Sequence, residues 1–248
     1  MTTATSTSRR SFSSHCLRPV RFFDRALVNG RSIRVRSTED IDGDFAVGGA
    51  GAELEARRRS VVDRPWVWLT QVHGDVCVDV EVIGLERACG ASADALITSS
   101  AELALSIQTA DCIPIALWSD DGVIAAAHAG WRGLEAGVID AAVNSLRSHT
   151  SAPLHAFVGP SIGPECYEFG AEDLNRLEQR FGPAVRAQTS DGRQALNVRA
   201  GVRLELLRND VVIDVDDDTC TACTDGFFSH RARAESARHA TVIWIEES

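Results

Sequence analysis

Residues 95–148 spell out strand after strand and then a helix, and this run constrains the fold more than any other part of the chain. Residues 95–98, 103–108, 113–118 and 123–128 are apolar segments of strand length. Asp120-Asp121-Gly122 supplies a hairpin turn between the last two. After Gly130 the apolar period changes. Leu134, Val138, Ala141, Ala142 and Leu146 fall at helical spacing, so 134–148 reads as an amphipathic helix. Elsewhere, 20–24 and 31–35 read as strands. A glycine-rich loop at 43–51 precedes a helix at 52–62. Residues 66–82 alternate like a strand pair bent at His73-Gly74-Asp75. Residues 154–158 read as a buried strand, 172–181 and 200–208 as helices, and 241–246 as a closing strand. No repeat and no Pro- or Ser-rich linker divides the middle. The expected fold is α/β of the α+β type: a single-domain layered sandwich over residues 17–248, with a mixed β-sheet and flanking helices. Residues 1–16, rich in Ser and Thr, read as a disordered tail.

Composition removes whole classes of function. The chain of 248 residues has no lysine, so all 25 basic side chains are arginines. Schiff-base catalysis, Walker-type ATP hydrolysis and kinase chemistry all need a lysine and are excluded. A net charge of −10 argues against nucleic acid as a partner. No apolar run approaches the roughly 18 residues of a membrane span, so no membrane partner is expected. Ser8-Arg9-Arg10-Ser11-Phe12 resembles a twin-arginine signal, but no apolar stretch follows it. Seven cysteines form no compact disulfide framework, which favours reduced thiols and a cytoplasmic protein. Seven histidines with no His-x-His pair are too few for a multicopper oxidase centre, so copper is disfavoured.

Chemistry-bearing residues concentrate in Thr109-Ala110-Asp111-Cys112 and Ala127-His128-Ala129-Gly130-Trp131-Arg132-Gly133. Cys112 and His128 close two strands joined by one hairpin, so both can reach the same sheet edge. His73 stands at a predicted bend. Two histidines and a cysteine suit borderline-soft zinc and leave a fourth tetrahedral position open. The residues alone leave other readings standing. They could be a buried structural cysteine with hydrogen-bonded histidines, or a Cys112 thiolate nucleophile with His128 as its base.

Five motifs carry a family resemblance. They are Thr70-Gln71-Val72-His73-Gly74, Ala93-Asp94-Ala95, Thr109-Ala110-Asp111-Cys112-Ile113-Pro114, the 127–133 segment, and Gly159-Pro160-Ser161-Ile162-Gly163-Pro164-Glu165-Cys166-Tyr167-Glu168. With Phe227-Phe228-Ser229-His230-Arg231 near the C-terminus, the chain resembles the laccase-domain or polyphenol-oxidase-like family. Its members are also called purine nucleoside phosphorylases and peptidoglycan editing factors. The resemblance implies zinc on His73, Cys112 and His128. It also implies phosphorolysis of adenosine, inosine and methylthioadenosine to free base and ribose-1-phosphate or its methylthio analogue, with adenosine deamination as a side activity.

For that chemistry, a purine nucleoside and phosphate are the expected partners. Gly130 to Gly133 opens the helix, so backbone N–H groups, Gly133 among them, and Arg132 are candidates to hold phosphate. Trp131 either stacks on a purine or packs in the core. Asp94, Asp111 and Arg132 are the catalytic candidates; Asp111 is alternatively an orienting partner for a ligand histidine. Two further readings are a metal-free Cys112/His128 hydrolase or amidase in peptidoglycan quality control, and a non-catalytic zinc-binding member.

Two segments depart from the family pattern. Arg25-Ala26-Leu27-Val28-Asn29-Gly30-Arg31 stands where Thr-Thr-Arg-x-Gly-Gly is usual, and Arg231-Ala232-Arg233-Ala234 where Arg-Arg-Asp-Gly is usual. Cys220-Thr221-Ala222-Cys223 has no second C-x-x-C and reads as a structural loop; Cys166 reads as packing. Asp214 to Asp218, four acids in five residues, reads as a solvated turn.

Overall fold

The computed structural model describes residues 21–27, 30–48 and 51–247; the expectations for residues 1–16 lie outside these. Strands β1 (Phe22–Ala26) and β2 (Ser32–Ser37) pair antiparallel, and helix α1 (Gly51–Val61) follows. Next come β3 (Trp66–Val67), β4 (Leu69–Thr70) and β5 (Cys77–Asp79), the one-turn helices α2 (Val80–Ile83) and α3 (Leu85–Ala88), and β6 (Ala91–Ser92). Strands β7 (Ala95–Thr98), β8 (Ala104–Thr109), β9 (Ile113–Ser119) and β10 (Ile124–Ala129) lead into α4 (Trp131–Ala136) and α5 (Val138–His149). The chain continues through β11 (Leu154–Val158), α6 (Ala171–Phe181), β12 (Arg186–Gln188), β13 (Gln194–Leu196) and α7 (Val198–Arg208). It ends with β14 (Val211–Asp216), α8 (His230–Arg233) and β15 (His239–Glu246).

Two large sheets result, in the orders β1-β2-β15-β8-β3 and β14-β11-β9-β10-β7-β5. Side-chain alternation in β9 shows how they stack. Ile113, Ile115 and Leu117 face α4–α7 together with Leu134, Val143, Leu177 and Val202. Ala116 and Trp118 face the other sheet, where Ile33, Leu105, Ile107 and Ile243 meet them. The outer face of the five-stranded sheet is covered by Phe45 and Leu54 of the α1 region. The layers therefore run α/β/β/α. The layered α/β sandwich expected from sequence is what the chain forms, with two sheets in place of one. Among the described residues no helix is long and apolar enough to cross a membrane.

Local departures from the sequence expectations have local causes. The 66–82 segment is not a strand pair. Its pieces β3, β4 and β5 each pair in parallel with a later strand, β8, β6 and β7 respectively. The Asp79 carboxylate accepts from the Glu81 and Val82 N–H groups and turns the rest into α2. The 134–148 helix divides at Gly137, whose φ of 110° interrupts the helical backbone. The 214–218 acids are not a solvated turn. Asp214 and Asp216 lie on β14, where Asp214 pairs with Arg25 and His155, and Asp216 with Arg199 and Arg203.

Candidate metal centre

The site grows from the crossover between the sheets. β8 ends in one sheet at Thr109 and β9 starts in the other at Ile113, so the Ala110–Cys112 link lies at their common edge. The antiparallel register sets His128 of β10 opposite Pro114, two residues from Cys112. His73 comes from the loop after β4, and its left-handed backbone (φ 60°) is held by Asp94. That carboxylate, fully buried, accepts from the N–H groups of Val72 (3.2 Å), His73 (2.9 Å) and Gly74 (2.6 Å).

Asp94 also accepts from Nδ1 of His128 at 2.9 Å. An ionised carboxylate only accepts, so Nδ1 carries the proton; in the neutral ring Nε2 keeps its lone pair on the Cys112 side, available to a metal ion. The carboxyl group is held below its usual range. Burial works to raise it, but His128 and the N–H groups of Gly74 and His73 outweigh burial. One aspartate thereby fixes two histidines, one through its backbone and one through its ring.

His73 Nε2 lies 3.7 Å from Cys112 Sγ, and one donor atom from each of His73, Cys112 and His128 lies within 4.8 Å of the others. A tetrahedral zinc with nitrogen and sulfur ligands separates them by about 3.6 Å. Gly130 makes this approach possible. A Cβ there would stand 2.5 Å from His73 Cδ2 and 3.1 Å from Cys112 Sγ.

Without a metal, Cys112 and His128 form a charge pair, with His73 beside the thiol. Burial works to raise the Cys112 thiol, but His128 and His73 outweigh it and bring the pKa to about 6. Burial works to lower His128, but Cys112 and Asp94 outweigh it and bring it up to about 9. In the metal-free protein, iodoacetamide is therefore expected to alkylate Cys112 with a midpoint near pH 6, where an ordinary thiol titrates near 8.5. Mass spectrometry of labelled protein across pH 4–9 checks this; a midpoint above pH 8 would show that no thiolate–imidazolium pair forms.

His128 is buried behind His73 and Cys112, which line a cavity of about 380 Å³. Its walls include Trp131, Tyr167 and Phe169, packed edge to face with centroids 5.3 Å and 5.4 Å apart, and Arg132 and Arg231. The guanidinium of Arg132 lies 4.1 Å from the Trp131 ring centroid and that of Arg231 4.9 Å from the Tyr167 ring centroid. Asp111 also lines the cavity, but its two oxygens already accept from Thr221 Oγ1 (2.7 Å) and the Arg231 N–H (2.6 Å). Gly133 lies behind the wall, where a Cβ would meet the Gly74 carbonyl oxygen at 3.1 Å.

Sequence reasoning singled out Trp131, Arg132 and Asp111 but gave no role to Tyr167, Phe169, His230 or Arg231. Tyr167, His230 and Arg231 sit inside motifs quoted for the resemblance, which was the available signal. Of the two segments that depart from the family pattern, 231–234 reaches the cavity through Arg231. Among the described residues of 25–31 none does; Arg25 instead pairs with Asp214 and Asp120.

Residues 39–246 match the family described as multi-copper polyphenol oxidoreductase laccase. A Streptomyces coelicolor protein named purine nucleoside phosphorylase is 36% identical over 200 residues, 79% of this chain and 82% of that one. A Xylella fastidiosa protein of the same name is 37% identical over 186 residues, 72% of this chain and 71% of that one. Among solved structures, YlmD from Geobacillus stearothermophilus superposes with a TM-score of 0.71 at 26% identity, covering 88% of this chain and 93% of that one. The Neisseria meningitidis protein NMB0706 gives 0.73 at 23% identity, covering 92% and 100%, a likeness of fold. The chain belongs to the laccase-like polyphenol oxidoreductase family, and relatives that match most of its length bear the name purine nucleoside phosphorylase.

Proposed function

We propose that the protein is a zinc-dependent purine nucleoside phosphorylase acting on adenosine, inosine and methylthioadenosine, with adenosine deamination as a side reaction. The observation that carries this reading is the His73–Cys112–His128 triangle opening onto an aromatic cavity flanked by two guanidinium groups. The donor set fits zinc, which when bound supplies a Lewis acid at neutral pH. Trp131, Tyr167 and Phe169 offer faces and edges for a purine. Arg132 and Arg231 hold the phosphate. Phosphorolysis forms a bond from a phosphate oxygen to C1′ of the ribose and breaks the bond from C1′ to the base nitrogen. The base leaves with the electron pair and takes up a proton. Asp94 and Asp111, with their oxygens engaged, act as positioning residues: Asp94 for the two histidines, Asp111 for the 221 and 231 segments that wall the cavity.

Chromatography of zinc-loaded protein incubated with adenosine tests the proposal. Adenine is expected only with phosphate present, and a smaller yield of inosine with or without it. Unchanged adenosine in both samples would overturn the reading in favour of a non-catalytic zinc-binding protein.

One observation favours a second reading. A thiolate beside a protonated imidazole is the nucleophile–base pair of a cysteine hydrolase or amidase, as in a peptidoglycan-editing role. That reading requires activity to survive a chelator and to vanish on alkylation of Cys112. The zinc reading requires the chelator to abolish it.

A further inference from the structure

A second cluster of metal-binding chemistry lies beside the cavity, made of residues that the proposed reaction leaves unused. The Cys220-Thr221-Ala222-Cys223 turn follows β14, and the Gly163-Pro164-Glu165-Cys166 turn follows β11. A parallel bridge between Ser161 and Cys220 sets the two turns side by side. One donor atom from each of Glu165, Cys166, Cys220 and Cys223 lies within 4.8 Å of the others. A tetrahedral zinc with thiolate ligands spaces its sulfurs by about 3.8 Å, so small side-chain rotations suffice.

Four details are poorly explained by packing. Cys223 is exposed, so burial does not account for a thiol there. The Glu165 side chain finds thiols as partners, Cys223 at 3.6 Å and Cys220, and among the described residues it forms no ion pair with an arginine or histidine. Such a carboxylate leaves its charge uncompensated unless a cation joins the group. The carboxylate curls back over Gly163 so closely that a Cβ there would stand 2.2 Å from its oxygen. The Gly163 N–H in turn points at Cys220 Sγ, 3.1 Å away, a contact that stabilises sulfur as thiolate.

We infer that Cys166, Cys220, Cys223 and Glu165 hold a second zinc ion. Four protein donors close the coordination sphere, as in structural sites, whereas the His73–Cys112–His128 centre has three donors and faces the cavity. Three sulfurs select a thiophilic metal over magnesium or calcium. Each thiol releases its proton to solvent when the metal binds. The ion joins two pieces of the cavity wall. Tyr167 follows Cys166 into the lining, and Thr221, between the two cysteines of the turn, donates to Asp111.

Elemental analysis of the full-length protein purified with zinc tests the inference. Cys112→Ala is expected to retain about one zinc per chain, and Cys112→Ala with Cys223→Ser none. Cobalt-loaded Cys112→Ala is expected to show the sulfur-to-metal charge-transfer absorption of a thiolate-rich tetrahedral site, lost on adding Cys223→Ser. Should the double variant fail to fold, Glu165→Gln in the Cys112→Ala background decides. It keeps all three thiolates and is expected to release its zinc to a chelator at least tenfold faster. The inference is overturned if Cys112→Ala carries no zinc and no cobalt charge-transfer band. It is also overturned if the native chain has two hydrogens fewer, mapped to a disulfide among these cysteines. These readouts hold whatever the fate of the phosphorylase reading, because Cys112 is absent from every metal-loaded sample and the disulfide mapping concerns Cys166, Cys220 and Cys223 alone.

Discussion

Asp94→Asn is expected to lower zinc affinity at the His73–Cys112–His128 centre by roughly 10- to 100-fold, as loss of a histidine's orienting carboxylate does. It is also expected to destabilise the fold by about 3 kcal/mol. The carboxylate is fully buried and accepts from three consecutive backbone N–H groups and from His128. An amide offers one acceptor oxygen in place of two and turns N–H groups toward existing donors. The 72–74 loop loses its anchor and His128 its fixed tautomer. A drop of roughly 6–12 °C in Tm corresponds to that energy for a chain of this size.

The effect should depend on pH in a defined direction. The Asp94 carboxyl is depressed in the folded protein, so its stabilisation is fully present above the ordinary carboxyl pKa of about 4. It is lost as pH falls through the lower folded value, where wild type and variant converge. Calorimetry at pH 7 and in acid checks this. Equal stabilities at pH 7 would remove Asp94 from its place as anchor.

Gly130→Ala is expected to empty the His73–Cys112–His128 centre, lowering zinc content by about one ion per chain, and to reduce kcat/KM for the proposed phosphorolysis by at least about 100-fold, with the fold intact. Gly130 has φ −71° and ψ 162°, a conformation open to alanine, so the backbone itself is not strained. The added methyl would fall 2.5 Å from His73 Cδ2 and displace the ring from Cys112. Zinc analysis together with circular dichroism separates this from unfolding. A well-folded variant with full zinc would show that the His73 ring can move aside without losing the metal.

The two variants also show which parts of the site could be read from sequence. Cys112 and His128 are separated by one strand–turn–strand, and antiparallel pairing brings the ends of such a hairpin together whatever surrounds it. That proximity was readable because it needs only period-two alternation and a turn at Asp120-Asp121-Gly122. His73 is another matter. Its approach depends on a carboxylate 21 residues later closing around three N–H groups, and on a glycine at 130 with no side chain to stand in the way. Periodicity carries no trace of either.

The sequence by itself determined the layered α/β class, because apolar periodicity states which face of each strand and helix must leave water. It also fixed the chemistry available: arginines without lysines, and cysteines and histidines of the zinc-binding type. Tertiary structure alone decided how the layers stack as α/β/β/α. It alone decided that β3, β4 and β5 pair in parallel with later strands rather than with one another. It alone brought Glu165 and Cys166 to Cys220 and Cys223, 54 residues onward, through one bridge at Ser161. The physical reason is range. Alternation and turn chemistry act between neighbours along the chain, whereas a buried carboxylate, a glycine gap or a cluster of thiols acts between segments that meet only when the core has closed.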